Sequence, residues 1–325
     1  MVMSNFEHVV YNSVMEFANH WHSQGPSAHS QGTAVRVATK SDTGAISRLL
    51  RAAEVSHIHV DWRLPVDWLG LPHFVVVPAG AEYTGGLLSK LFSLPERVVA
   101  CLAAAADPPP AAWIRVAAVA EAQDSQMWLA EMLAMVEASL RETAVTQLGW
   151  LVTQEWPNRW LPGLGFEITN EIETYLKDDL AAPDLRPTPN LVIRPVRAPD
   201  FAALAQIETD AFDPLWRLSR ETLALAQRDV LCFDVAEWNG RLVGYQISSG
   251  ATYSAHLVRL TIAHEAQGQG VGSALLSQAI QTYRRLGLRQ VSLNTQVDNV
   301  TSQHLYQKFG FYATGERLPV WSKAI

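Results

Sequence analysis

The stretch "HEAQGQGVGSALL", His264–Leu276, sets Gly268, Gly270 and Gly272 at alternate positions directly before an apolar, helix-like run. Glycine inside a regular element costs stability. Glycines gathered where a strand turns into a helix therefore serve a positive φ or a close approach of the backbone to something else. The preceding "SAHLVRLTIA" reads as a strand, and "VGSALLSQAIQTYRRLG" as a helix ending at Gly287. The N-terminus of such a helix offers unpaired N–H groups and the positive end of a dipole, which suit a phosphate. A Walker A loop requires Gly-Lys-Ser/Thr, and this loop has no lysine. A Rossmann fingerprint wants glycine or alanine at 273 and an acidic residue closing the next strand, where Ser273 and Asn294 stand. Two readings remain. One is a pyrophosphate loop of the form Gln-x-x-Gly-x-Gly on Gln267, Gly270 and Gly272; the other is a glycine-rich turn that serves only strand–helix packing.

Around the loop the chain reads β-α-α-β-β-β-α-β-α-β. "NLVIRPVRA" is a strand, and Asp200 is placed to cap the helix "FAALAQIETDAF". Ser219 caps "RETLALAQRD", and Asn239-Gly240 turns the hairpin "VLCFDVAEWNGRLVGYQISSG". "RQVSLNTQV" is a strand, "VTSQHLYQKFG" a short helix, and "FYATGERLPVWSK" closes the chain in extended form. This order predicts a mixed sheet covered by helices.

The same order has an echo upstream. "VRVATKSD" (35–42) and "IRPVRAPD" (193–200) both precede helical stretches, with Arg36 and Arg194, and Asp42 and Asp200, 158 residues apart. "RVAAVAEAQ" (115–123) matches "RLTIAHEAQ" (259–267) at 144, and "GFEIT" at Gly165 matches "GFYAT" at Gly310 at 145. These echoes predict two copies of one unit. The proline-rich "LAAPDLRPTPN" (180–190) lies between them. The predicted organisation is an N-terminal helical extension over 1–32, a first copy over 33–180, a linker over 181–190 and a second copy over 191–325. In the extension, Phe6, Val9, Val10, Val14, Phe17 and Trp21 fall at helical spacing.

From Asn294 the chain continues "NTQVDNVTSQHLYQKFGF". Here it resembles the GNAT superfamily of acyl-CoA-dependent N-acyltransferases. The resemblance rests on "LTIAHEAQGQGVGSALL" followed, after one helix and one strand, by "DN…LYQKFGF". It covers roughly 190–325 well and 33–177 only in outline. The tandem arrangement is similar to that of mycothiol synthases, in which a degenerate N-terminal copy accompanies an active C-terminal one. The fold implied is α/β (α+β): two tandem GNAT-like domains, each a mixed, mostly antiparallel sheet with a splayed parallel strand pair and flanking helices.

The resemblance implies acetyl-CoA as co-substrate, with no metal. The backbone of Leu260, Thr261 and Ile262 is expected to pair with the pantetheine arm. The N–H groups of Gly268, Gln269, Gly270, Val271, Gly272 and Ser273, after Gln267, are expected to hold the pyrophosphate. Asn299 matches the family's side-chain contact to CoA and is also placed to cap a helix. A backbone N–H near Thr261 or Ile262 is the expected oxyanion donor. Tyr306 matches the general acid: a phenol of pKa ~10 can protonate a thiolate whose thiol has pKa ~8.5. Asn294 stands where some relatives carry a glutamate base, and an amide does not accept a proton usefully. Glu265, Glu237, Asp234, His256 and Glu208 are alternative bases, each also readable as a solvated surface group. Phe212, Pro214 and Trp216 in "DAFDPLWRLS" resemble the acceptor-side loop of ribosomal-protein α-amine acetyltransferases.

The first copy loses the chemistry at the echoed positions. Gly270 maps to Gln126, Gly272 to Trp128 and Tyr306 to Leu161, and "DSQMW" replaces "GQGVG". Eight of the 11 tryptophans lie before the linker, where they could fill a core closed to CoA.

Bulk properties narrow the classes. A net charge of −7 over 325 residues argues against a nucleic-acid binder. Cys101 and Cys232 make no disulfide framework or metal set, which fits a reducing cytoplasm. No apolar run approaches the ~20 residues of a membrane span. The expected partner is a small-molecule or peptide amine, with the chain a monomer or homodimer.

Overall fold

The computed structural model describes residues 35–79 and 97–325. The predicted N-terminal helix lies outside the described residues. The chain divides into two units, one of Ile168–Val320 and one in which residues up to Glu167 are joined by Trp321–Ile325.

In the Ile168–Val320 unit the sheet order is β13-β7-β12-β11-β10-β9-β8. The strands are β7 (Glu167–Lys177), β8 (Leu191–Pro195), β9 (Cys232–Trp238), β10 (Arg241–Gly250), β11 (Ser254–Ile262), β12 (Gln290–Gln296) and β13 (Tyr312–Ala324). Asn239 and Gly240, at φ 51° and 76°, make the β9–β10 turn. Four helices complete the unit: α3 (Phe201–Ala211), α4 (Arg220–Asp229), α5 (Val271–Arg285) and α6 (Val300–Lys308). Ser219 Oγ caps α4 by accepting from Thr222 N–H. Leu276, Ala279, Ile280 and Tyr283 of α5 and Tyr306 of α6 share one apolar cluster with Leu257, Val291 and Leu293 of the sheet.

Strands β11 and β12 run parallel, but only from Ser254↔Gln290 to Leu257↔Leu293. Beyond that point they part. A bulge at Val258 accompanies the parting: Leu257 pairs with Ser248 and Arg259 with Ile247 of β10. The extra residue reverses the alternation of sides. Leu257 therefore packs with α5, whereas Arg259 and Thr261 both reach Glu208 of α3.

The first-copy unit has the order β1-β3-β4-β5-β6, with β2 on β5. Its strands are β1 (Arg36–Val37), β2 (Val55–Ile58), β3 (Phe74–Pro78), β4 (Val98–Ala106), β5 (Ala111–Val119) and β6 (Gln147–Leu151); its helices are α1 (Thr43–Ala52) and α2 (Ser125–Arg141). Both faces of the sheet are covered. Ile46, Leu49 and Trp68 pack on Val76, Cys101, Ala103 and Val116, while Leu129, Met132 and Val136 of α2 pack on Val75, Val77, Leu102 and Ala117. Strands buried on both faces read as unbroken apolar runs, as "VVACLAAAA" does. Here too a parallel pair splays: β5 and β6 pair from Ala111↔Gln147 to Trp113↔Gly149 and no further. A bulge at Arg115 lies beside the opening.

The echo at 158 is a repeated device. Arg36 forms a two-pronged pair with Asp42 at 2.8 and 2.7 Å, and Arg194 does the same with Asp200 at 2.7 and 3.0 Å. In each copy the aspartate also accepts a backbone N–H three residues before it, at 2.7 Å. Asp200 is thus spent on Arg194 and Arg197 N–H and does not cap α3 with its side chain. Both cysteines are free thiols. Among the described residues no helix is long and apolar enough to cross a membrane.

Candidate active site

The opening between β11 and β12 sets the geometry. Ala263 N–H donates to Val243 O at 2.8 Å, so this side of residue 263 faces β10. Backbone groups alternate along a strand, which turns those of Thr261 toward β10 as well. A Cβ built on Gly244 would meet Thr261 O at 2.6 Å, in agreement. The N–H and C=O groups of Leu260 and Ile262 consequently point into the opening. Of the three residues expected to pair with an added strand, Leu260 has both backbone groups available and Ile262 its N–H, its carbonyl being engaged by Gln267, and Thr261 sits between them with its hydroxyl on Glu208 at 3.0 Å.

The glycine loop lies at the mouth of this opening. Gln267 Nε2 donates to Ile262 O at 3.1 Å and ties the loop to the strand. Gly268 and Gly270 have φ of 73° and 85°, so both take the left-handed region that favours glycine. Gly270 precedes the first residue of α5, and the first bond onto its carbonyl comes from Ala274 N–H at 3.0 Å. The N–H groups of Val271, Gly272 and Ser273 therefore have no carbonyl to meet inside the helix. A Cβ on Gly272 would lie 3.5 Å from both Ile262 Cγ1 and Leu305 Cδ2. The loop, the open edge of β11 and helix α6 thus meet at Gly272.

Asn299 caps α6, its Oδ1 accepting from Ser302 N–H at 3.1 Å, which leaves the amide nitrogen as a donor. Tyr306 is buried, its ring 5.8 Å from that of Phe311 and 6.4 Å from that of Tyr175. Burial pushes its phenol up to about 12, against the opposing pull of the Ser302 hydrogen bond and the Arg259 charge. The net effect is upward, so Tyr306 holds its proton at neutral pH and has one to give.

The alternative bases are largely committed. Glu208 is fully buried, not solvated. It accepts from Tyr245 Oη at 2.6 Å, Leu218 N–H at 3.0 Å, Thr261 Oγ1 and both arms of Arg259. Glu237 pairs with Arg194 at 2.6 Å, and Asp234 accepts from Gln246 at 2.9 Å while buried. Glu265 is exposed. His256 meets Ser292 Oγ at 2.9 Å, and burial pushes its imidazole down to about 4. Asn294 lies on β12 opposite Thr174 of β7.

Arg259 is a residue the sequence reading passed over. Its guanidinium stacks 3.6 Å above the Phe212 ring and donates to Trp216 O at 2.6 Å, pinning the α3–α4 loop to β11. Burial works against its charge, and Glu208 more than restores it. The signal was present: the 144-residue echo begins with an arginine in both copies. Arg115 repeats the arrangement, paired with Asp61 at 2.8 Å and 5.1 Å from the Trp68 ring.

In the first-copy unit the equivalent edge is covered. Strand β2 pairs antiparallel with β5 from Val55↔Val119 to Ile58↔Val116. Carried over by 144 residues, Val116–Ala118 correspond to Leu260–Ile262. Glu54 adds its carboxylate to Ala122 N–H at 2.8 Å, at the turn leading into α2. Trp128 and Leu161, which replace Gly272 and Tyr306, are both buried in the core. Among the described residues no cluster of His, Cys, Asp and Glu has the makings of a metal site.

The chain resembles known proteins at the positions just described. The Acetyltransferase (GNAT) family matches residues 201–311. An uncharacterized N-acetyltransferase of Methanocaldococcus jannaschii is 30% identical over 122 residues, covering 37% of this chain and 78% of that protein. A Bacillus subtilis protein named as a candidate ribosomal protein bS18-alanine N-acetyltransferase is 28% identical over 125 residues, covering 38% and 83%. The solved tandem GNAT protein from the clavulanic acid biosynthesis pathway superposes with a TM-score of 0.57 at 15% identity, covering 89% of this chain and 98% of that one. That likeness speaks for the tandem fold, and the sequence match for the family: the chain belongs to the GNAT acetyltransferases, built as two tandem copies of the fold.

Proposed function

We propose that the second copy transfers an acetyl group from acetyl-CoA to a primary amine of a small molecule or peptide. The observation that carries this reading is the meeting of the open β11 edge, the glycine loop and helix α6 at Gly272. The pantetheine arm runs along the N–H and C=O groups of Leu260 and the N–H of Ile262, and the pyrophosphate rests on the loop from Gly268 to Ser273. The amine attacks the thioester carbonyl, a C–N bond forms and the C–S bond breaks. A backbone N–H of Leu260 or Ile262 donates to the oxyanion. Tyr306 gives its proton to the departing sulfur, and the proton that the new amide nitrogen sheds passes through solvent water and restores the phenol.

Asn294 offers no base of its own, and the buried carboxylate of Glu208 is consumed by Arg259. This favours an acceptor that is substantially neutral without help. An α-amine, of pKa ~7.7–8.0, meets that need far better than a lysine at ~10.4. The names of the relatives, one of them an alanine N-acetyltransferase, point the same way. The first copy is closed to CoA by its own strand β2 and serves as scaffold.

The test is thiol release from acetyl-CoA against small amines, aminoglycosides and peptides bearing α-amines or lysines. Release should accompany acetylation of an α-amine, read by mass spectrometry. A protein that binds CoA and acetylates nothing in the panel would instead be a CoA-binding scaffold.

A further inference from the structure

The segment joining the two copies stays in contact with the glycine loop. Leu180, Ala182 and Leu185 pack on or within the apolar cluster that holds α5 and α6. Its far end is tied to the β9–β10 turn: Trp238 Nε1 donates to Pro189 O at 3.1 Å and Asn190 Nδ2 to Asn239 Oδ1 at 3.0 Å. Between these anchors Thr188 Oγ1 donates to Gln269 O at 3.1 Å. The same oxygen lies 3.0 Å from where a Cβ on Gly270 would stand. Gly270 thus answers two demands besides a phosphate, its φ of 85° and the closeness of Thr188.

The Gln269 carbonyl and the Gly270 N–H belong to one peptide plane and point in opposite directions. Holding the carbonyl toward Thr188 turns the N–H away from the linker. Pro187 and Pro189 fix the backbone torsion on either side of Thr188 and supply no N–H to compete for the carbonyl. Glycines flanking Gln269 leave this plane free to rotate unless something outside the loop holds it. We propose that Thr188 is a positioning residue for the pyrophosphate loop, fixing the Gln269–Gly270 peptide through its hydroxyl. The linker is then part of the cofactor site as well as a tether. This rests on the reading of the loop as the CoA pyrophosphate site.

The test compares Thr188→Val, which keeps the shape and removes the hydroxyl, with Thr188→Ser, which keeps the hydroxyl. CoA affinity is measured by calorimetric titration. Kinetics are run with acetyl-CoA and with S-acetylpantetheine, which lacks the pyrophosphate. Thr188→Val should weaken CoA binding and raise the KM for acetyl-CoA at least fivefold, with kcat within twofold. Its KM for S-acetylpantetheine should not move, and Thr188→Ser should match the wild type. Equal CoA binding by the valine variant and the wild type overturns the proposal, and so does equal loss in valine and serine variants or a matching KM rise with S-acetylpantetheine. A wild-type protein that binds no CoA is a different result, because it removes the pyrophosphate reading itself.

Discussion

Ile58 pairs with Val116 across the antiparallel edge of β5. Its counterpart in the second copy, Leu260, lies beyond the last β11–β12 pair, Leu257↔Leu293. One copy has thus filled, with its own residues 55–58, the edge the other keeps open. A strand held by main-chain bonds and continuous with the chain is a competitor at very high effective concentration. A titration of the whole protein with CoA should therefore give one site per chain. Two equal sites would show that β2 yields to the cofactor.

Gly272 offers the cleanest probe of that single site. Its backbone is helical, and a Cβ there would make only ordinary contacts with Ile262 and Leu305. Gly272→Ala should fold, yet its methyl would stand at the meeting point of loop, strand and helix. CoA binding should fall at least tenfold, about 1.4 kcal/mol. Unchanged affinity in the folded variant would remove the loop from the binding site. Gly270 is a poorer probe, because φ and Thr188 penalise any side chain there before a ligand enters.

Tyr306→Phe keeps the ring in its cluster and deletes the proton. If Tyr306 protonates the leaving sulfur, kcat should drop by roughly 10²–10⁴ while CoA still binds. The pH profile adds an independent sign. With burial pushing the phenol up to about 12, Tyr306 remains protonated through pH 10, so kcat should not decline on the alkaline side below that point. A wild-type turnover in the phenylalanine variant would reduce Tyr306 to packing.

Buried histidine makes the first-copy unit sensitive to acid. Burial pushes His57 down to about 4 from 6.5, against the pull of its Ile114 O contact. The unfolded chain takes up a proton below 6.5 and the folded one only below about 4. Stability is then fully present above pH 6.5 and falls as pH drops toward 4, by about 3 kcal/mol at most for this residue. Urea unfolding at pH 7.5, 6 and 5 should show the loss, and His57→Gln should lessen it, leaving the part carried by the buried His59 and His256. Parallel slopes for the two proteins would assign the acid sensitivity elsewhere.

Much of the second copy was legible because its signals are local. Asn239-Gly240 announces a hairpin by its torsions alone, and "GQGVG" announces a turn that bulky residues cannot follow. The Arg–Asp echo at 158 proved to be one ion pair made twice. What stayed hidden depends on partners distant in sequence. Nothing in "EITNEIETYLK" says that β7, inside the 33–180 span read as the first copy, pairs with β12 of the second. Nothing in "EVSHI" says which edge β2 will cover. The burial of Glu208 was readable: it falls on the face of Phe201 and Leu204 at helical spacing, and a carboxylate on an apolar stripe needs a cation.

That cation is Arg259, and the pair yields the sharpest test of whether the α3–α4 loop holds the acceptor. Arg259→Leu would leave Glu208 fully buried among donors but without its charge partner. Removing one member of a buried pair costs about 3–5 kcal/mol, whereas replacing both with apolar residues is often near neutral. Thermal unfolding should therefore show a large loss for Arg259→Leu and a smaller one for Arg259→Leu combined with Glu208→Leu, in which Tyr245 Oη, Thr261 Oγ1 and Leu218 N–H still lose their acceptor. The double variant still lacks the guanidinium that stacks on Phe212 and holds Trp216 O. Its stability should recover in part while its KM for the amine stays raised, because the α3–α4 loop is no longer pinned to β11. A double variant with wild-type KM would mean that the clamp supports the fold and has no part in holding the acceptor.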